Sequence, residues 1–92
     1  MTGHLKAKCR TPGGGVSEIR ILDINELGCL VHKSWMRIEN GERLLLKMPG
    51  LEYKVAYVSW AEDEQAGLSF EEPLYGPVLQ HLLAGMEQQH AA

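Results

Sequence analysis

Tyr53-Lys54-Val55-Ala56-Tyr57-Val58-Ser59-Trp60 is the stretch that decides the fold. Aromatic and β-branched residues recur here at period two, with Tyr53, Val55 and Tyr57 on one face and Lys54, Ala56, Val58 and Trp60 on the other. That pattern predicts a half-buried strand. Pro49-Gly50 precedes it as a turn, and the acidic, polar run 61–65 comes after it as a solvated turn. Working outward, residues 43–48 read as the strand before it, opened by the turn signal Asn40-Gly41, with hairpin-like spacing. Residues 67–70 read as the short strand after it.

The same period extends toward the N-terminus. Residues 5–10 set Lys6, Lys8 and Arg10 against Ala7 and Cys9, and Pro12-Gly13-Gly14-Gly15 breaks the chain as a hairpin loop. Residues 16–25 carry Ile19 and Ile21 on one side and Leu22 and Ile24 on the other, and residues 29–33 form a third short strand after a tight connection. From Pro77 the period changes. Leu79, Leu82, Leu83 and Met86 recur at i, i+3, i+4 and i+7, predicting an amphipathic helix over about 77–88. Gly85 weakens its last turns by about 1 kcal/mol relative to Ala, so fraying is expected toward residues 88–92. The chain thus reads as all-β: one domain over 1–92, a six-stranded antiparallel barrel over about 5–72 capped or plugged by a C-terminal helix.

Composition narrows the function. Ninety-two residues, 45% of them hydrophobic, make one small module and exclude a cofactor domain plus a substrate domain. Nine basic against twelve acidic residues leave a net charge of −3, so no DNA or RNA partner is expected. No apolar run approaches the length of a membrane span and no signal-peptide core opens the chain, which places the expectation in the cytoplasm without membrane insertion. Cys9 and Cys29 lack a CxxC spacing and read as reduced, small apolar filler. His4, His32, His81 and His90 fall in separate elements with no metal-binding spacing, so neither a metal nor a resident cofactor is expected. The serines lack a nucleophile elbow, and the carboxylates Glu62-Asp63-Glu64 and Glu71-Glu72 sit beside turns as solvated faces. The chain does not read as an enzyme. Gly13-Gly14-Gly15 lacks the Lys-Ser/Thr of a phosphate loop. Lys6, Lys8 and Arg10, joined by Arg20 if the second strand pairs beside the first, form a basic stripe whose ordinary reading is a solvated edge.

Asp23-Ile24-Asn25-Glu26-Leu27-Gly28 is the most informative polar stretch. Asp and Asn two residues apart face one side of a strand, where carboxylate and amide can hydrogen-bond the edge of a purine. The alternative is that both satisfy their own turn through Asx-type bonds. Gly28 is expected to permit the backbone turn into the next strand.

The run from Ile21 to Val31 resembles the Asp/Asn-x-Ser-x-x-Gly motif of the PilZ domain and the apolar strand after that motif. Asn40-Gly41-Glu42 before a Leu-rich strand, Val58-Ser59-Trp60 and Gly67-Leu68-Ser69-Phe70 resemble that family in order and spacing. The resemblance implies a six-stranded barrel of bacterial origin, a regulatory module of second-messenger signalling and a receptor-type fold for cyclic di-GMP. It implies that Asp23, Asn25 and Gly28 occupy the guanine-reading motif, with Asn25 in place of the family Ser. The family's phosphate-gripping Arg-x-x-x-Arg occurs nowhere in the chain. Arg10 and Arg20 are then the candidates to meet phosphate, with Lys6 and Lys8 as partial substitutes. Losing both arginines weakens binding by about 100-fold or more, since each charge-assisted bond to an anion contributes about 1.5–3 kcal/mol. The competing expectation is a nucleotide-independent adaptor for a protein partner, with Trp35 and Met36 after the third strand as a candidate anchor.

Overall fold

Each strand of this chain has one apolar face, and the sheet curls until those faces enclose a single core. The computed structural model describes residues 5–33 and 36–91, the helix side chains as far as residue 86. In chain order the elements are β1 (Leu5–Arg10), β2 (Val16–Ile24), β3 (Gly28–His32), β4 (Arg43–Lys47), β5 (Lys54–Ala61), β6 (Gln65–Phe70) and α1 (Gly76–Ala91). They form a closed barrel in the order β1-β2-β3-β6-β5-β4, and every neighbouring pair is antiparallel. The expected six-stranded all-β barrel with a C-terminal helix is the observed one.

β1 shows the alternation most simply: Leu5, Ala7 and Cys9 point inward, Lys6, Lys8 and Arg10 outward. Ile19, Ile21, Val31, Leu44, Leu46, Ala56, Val58, Ala66 and Leu68 complete the barrel interior. Leu82 and Met86 of α1 join this core, and Gly85 is where the helix meets Leu5 of β1, so a side chain there would crowd the contact. The helix runs from Gly76 to Ala91, past the expected end at residue 88, and packs against β1.

Three local expectations change. β2 is irregular between Ile21 and Asp23, so Ile24 is buried on the same side as Ile19 and Ile21 instead of opposite them. β5 is irregular between Val58 and Trp60, so Trp60 turns outward while Ala56 and Val58 stay inside. A bulge adds one residue to one strand and reverses the facing of the residues beyond it. The Asn40-Gly41 turn joins no hairpin, because β3 pairs with β2 and β6, not β4. Gly41, at φ +89°, instead donates its N–H to Val58 O at 2.7 Å, and Val58 returns its own to Glu42 O at 2.9 Å. This turn prolongs the β4–β5 ladder.

Lys33, just after β3, ties its part of the chain to the β5–β6 turn. Only 8% exposed, it donates its ammonium to Asp63 O at 3.0 Å and Met36 O at 3.3 Å. Its N–H reaches Glu64 O at 2.8 Å. Carbonyl oxygens thus replace the water that a buried ammonium gives up. Ile38, between β3 and β4, is buried in the core.

Both thiols are inside. Burial pushes Cys9 from an ordinary 9.0 up to about 11, with the charge of Glu42 adding to it, and pushes Cys29 up to about 12, with Cys9 adding. The folded chain therefore holds these protons more tightly than the unfolded chain, so their contribution to stability is complete below pH 9 and is lost as pH rises toward 11 and 12. In urea denaturation followed by tryptophan fluorescence, the midpoint is expected to fall above about pH 9. The Cys9→Ala, Cys29→Ala double variant is expected to show a shallower fall, and an unchanged slope would remove the thiols as its cause.

Candidate functional site

The two bulges lie on either side of one patch of the barrel exterior. Cross-strand register places Asp23 of β2 opposite Leu30 of β3, Leu30 opposite Gly67 of β6, and Gly67 opposite Trp60 of β5. Asp23 and Trp60, the first registered residues beyond their bulges, therefore end one row of four outward positions. The row below it runs Gly28, Ser69, Tyr57 and Arg43 from β3 to β4. A groove of about 330 Å³ opens over the first row, bounded by Asp23, Asn25, Leu27, Leu30, Ser59 and Trp60, with Gly28, Gly67 and Ser69 in its floor.

Glycine makes the floor possible. A Cβ on Gly67 would collide with the Trp60 indole at Nε1, so the ring rests on the bare backbone of β6. Trp60 is 40% exposed there and offers a flat apolar face beside polar groups. Gly28 serves the same purpose for a different contact, since a Cβ there would collide with the carbonyl of Leu68 on β6. Its φ is not positive, whereas those of Gly14, Gly41 and Gly50 are. Gly28 is thus required by close strand approach and not by the turn expected of it.

The β2–β3 connection is built by Asn25. Its Oδ1 accepts the N–H groups of Leu27 at 2.8 Å and Gly28 at 3.0 Å, and its own N–H donates to Gly28 O at 2.9 Å. The Asx-type alternative is therefore the one this residue adopts, and its amide nitrogen is left for other contacts. Asp23 accepts the N–H of Ile24 through Oδ1 at 2.9 Å, leaving its second oxygen. The loop is anchored from behind, where Phe70 donates to Leu27 O and Leu74 to Glu26 O, each at 2.8 Å. Across the groove Ser59 and Ser69 share a hydrogen bond between their hydroxyls, and Tyr57 donates to Glu71 at 3.0 Å.

The residues expected to act together are only partly assembled. Asp23, Asn25 and Gly28 border one groove, and Arg20 lies further along β2 on the same outward surface, opposite His32. Arg10 is elsewhere. It stands on β1 opposite Leu45 of β4, its guanidinium 5.8 Å from the centre of the Tyr53 ring. Among the described residues no lysine or arginine borders the groove. Trp35 lies outside the described residues, and Met36 is half-buried against the core. Among the described residues no group of three or more His, Cys, Asp or Glu side chains could hold a metal ion, and no described helix is long and apolar enough to cross a membrane.

Sequence reasoning singled out Asp23, Asn25 and Gly28 but gave Trp60 to the opposite face and assigned no site role to Gly67 or Ser69. The Trp60-to-Gly67 spacing was legible as a hairpin, while the bulge that brings the ring over the glycine was not.

Gly67→Ala is expected to lift the indole off the sheet, giving a red-shifted tryptophan emission and an altered near-ultraviolet circular dichroism band with the barrel intact. Gly28→Ala is expected to lower stability by about 1–3 kcal/mol, because the obstructing atom is backbone and cannot rotate away. Emission and circular dichroism spectra check the first and chemical denaturation the second, and a Gly28→Ala protein as stable as the parent would contradict the close-approach argument.

Compared with known proteins, this chain matches no family model, no curated protein and no solved structure.

Proposed function

We propose that this chain is a PilZ-like regulatory module of bacterial second-messenger signalling, and that its outer groove takes a guanine of cyclic di-GMP. The observation that carries the reading is the row Asp23, Leu30, Gly67 and Trp60, in which two bulges turn a carboxylate and an indole toward one glycine-floored surface. A planar base stacks on the indole face. The second oxygen of Asp23 accepts from the base's N–H edge, and the Asn25 amide nitrogen donates to its carbonyl or ring nitrogen. These groups bind and orient, with no bond made or broken, so the role is regulatory and not catalytic.

The phosphates are less well served. Arg20 is the nearer of the two candidate arginines to this groove and Arg10 is out of its reach by topology. With the arginine pair of the family absent, affinity drops from about 1 μM toward about 100 μM or weaker. The lack of a cation among the described residues bordering the groove favours a second reading, the nucleotide-independent adaptor. Leu27 at 67% and Tyr75 at 74% exposure then take the anchoring role first expected of Trp35.

Isothermal titration of cyclic di-GMP, with GTP as control, separates the two. Saturable binding near 100 μM, weakened about tenfold or more by Asp23→Ala and by Trp60→Ala, is the expected result. No heat at millimolar ligand, or binding indifferent to both substitutions, would leave the adaptor reading in its place.

A further inference from the structure

The outward faces of β1 and β4 gather positive charge that the groove does not use. Lys6, Lys8 and Arg10 alternate along β1, Arg43 and Lys47 stand on β4, and neither strand contains an acidic residue. Register turns this composition into a constraint. Lys8 stands directly opposite Lys47, and on the other flank of β1 Lys6 stands directly opposite Arg20. Like charges opposed in this way lower the stability of an antiparallel pair. The fold therefore accepts two unfavourable pairs at solvent-facing positions where opposite charges would serve it better, and such local conflicts mark functional surfaces.

Shape agrees with charge. A shallow depression of about 240 Å³ lies between the two strands, bordered by Lys6, Lys8, Lys47, the Pro49-Gly50 turn and Glu18, which stands opposite Lys8 and is the one carboxylate among the described residues there. Two of the cations nearby are held in place. Lys47 donates its ammonium to Leu51 O, and the Arg10 guanidinium rests over Tyr53. Holding them lowers the conformational entropy lost when an anion docks.

We propose that this face docks a short acidic segment of a partner protein in extended form. Alternate residues on β1 recur about every 6.8 Å, the repeat of alternate side chains in an extended peptide laid along the strand. Carboxylates at every second position of that peptide then meet Lys6, Lys8 and Arg10 in turn. The charge balance selects a peptide over a nucleic acid or an anionic bilayer. The chain carries −3 overall, so a polyanion extending past the depression runs along a protein of net negative charge. A short peptide stays within about 8 Å of the cations, the distance over which they act at physiological salt. The surface is on the opposite side of the barrel from the groove, and the inference holds whether or not the groove binds nucleotide.

Fluorescein-labelled decaglutamate, titrated with the full chain and read by anisotropy, tests it. Saturable binding with Kd about 10–100 μM at 50 mM NaCl, weakened about tenfold at 300 mM, is expected. Lys6→Glu and Lys47→Gln should each weaken binding about tenfold. Lys6→Glu also places an opposite charge across from Arg20, so it should raise the urea midpoint while binding falls, a combination that a purely structural lysine does not produce. Asp23→Ala should leave peptide binding unchanged, which separates this surface from the groove. Three results would overturn the proposal: no decaglutamate binding, equal binding by Lys6→Glu and Lys47→Gln, or a labelled ten-nucleotide oligo(dT) binding as tightly as the peptide.

Discussion

The seam between β1 and β4 is the constraint on which the rest of this structure depends. Three registered pairs, Lys8 with Lys47, Cys9 with Leu46 and Arg10 with Leu45, close the sheet into a barrel. Without that seam β1 and β4 would be unpaired edges, with backbone donors and acceptors open to other chains, and the inward faces would have no common interior. Closure gives Cys9 and Leu46 a fully buried position on one side of the seam and crowds basic side chains on the other. The same pairing thus stabilises the core and concentrates charge. The two effects are inseparable because successive side chains on a strand point to opposite faces.

Two departures from strict alternation shape the groove side of the barrel. The bulges in β2 and β5 fall where those strands flank the β3–β6 pair, and each changes the facing of the residue beyond it. Gly28 and Gly67 remove the side chains that would otherwise fill the space between them. An indole thereby lies on backbone, with a carboxylate at the far end of the same row. Asn25 holds the neighbouring loop with two backbone bonds, so the groove rests on a connection rigidified from within and pinned from behind by Phe70 and Leu74.

The exterior is divided chemically. The groove bordered by Asp23 and Trp60 offers an aromatic face, hydrogen-bonding groups and, among the described residues, no cation, a surface suited to a planar, donor-rich group. The face carrying Lys6, Lys8 and Lys47 offers charge without an aromatic floor among its described residues, a surface suited to carboxylates. The proposed guanine recognition and the proposed acidic-peptide docking draw on these two surfaces separately. Arg10 illustrates the division, because it belongs to the basic face although its residue type made it a candidate for the groove.

Much of the architecture was legible in local pattern. Period-two alternation, Pro-Gly and Asn-Gly punctuation and the change to a helical period after Pro77 determine six strands and one helix, because facing and turn propensity are properties of a few neighbouring residues. The polar signature of Asp23, Asn25 and Gly28 was equally local, and those residues do border the groove. Sequence alone left undetermined everything that depends on which strand lies beside which. The facing of Ile24 and Trp60, the burial of Lys33 against the carbonyls of Asp63 and Met36, and the opposition of Lys8 to Lys47 all arise from pairing between distant segments. Gly28 shows the boundary most plainly: its identity was read from the sequence, while its reason, the nearness of the Leu68 carbonyl, exists only once β3 and β6 are paired. A bulge shifts register by one residue, and where it falls is decided by packing across the sheet and not by the propensities of the residues within it.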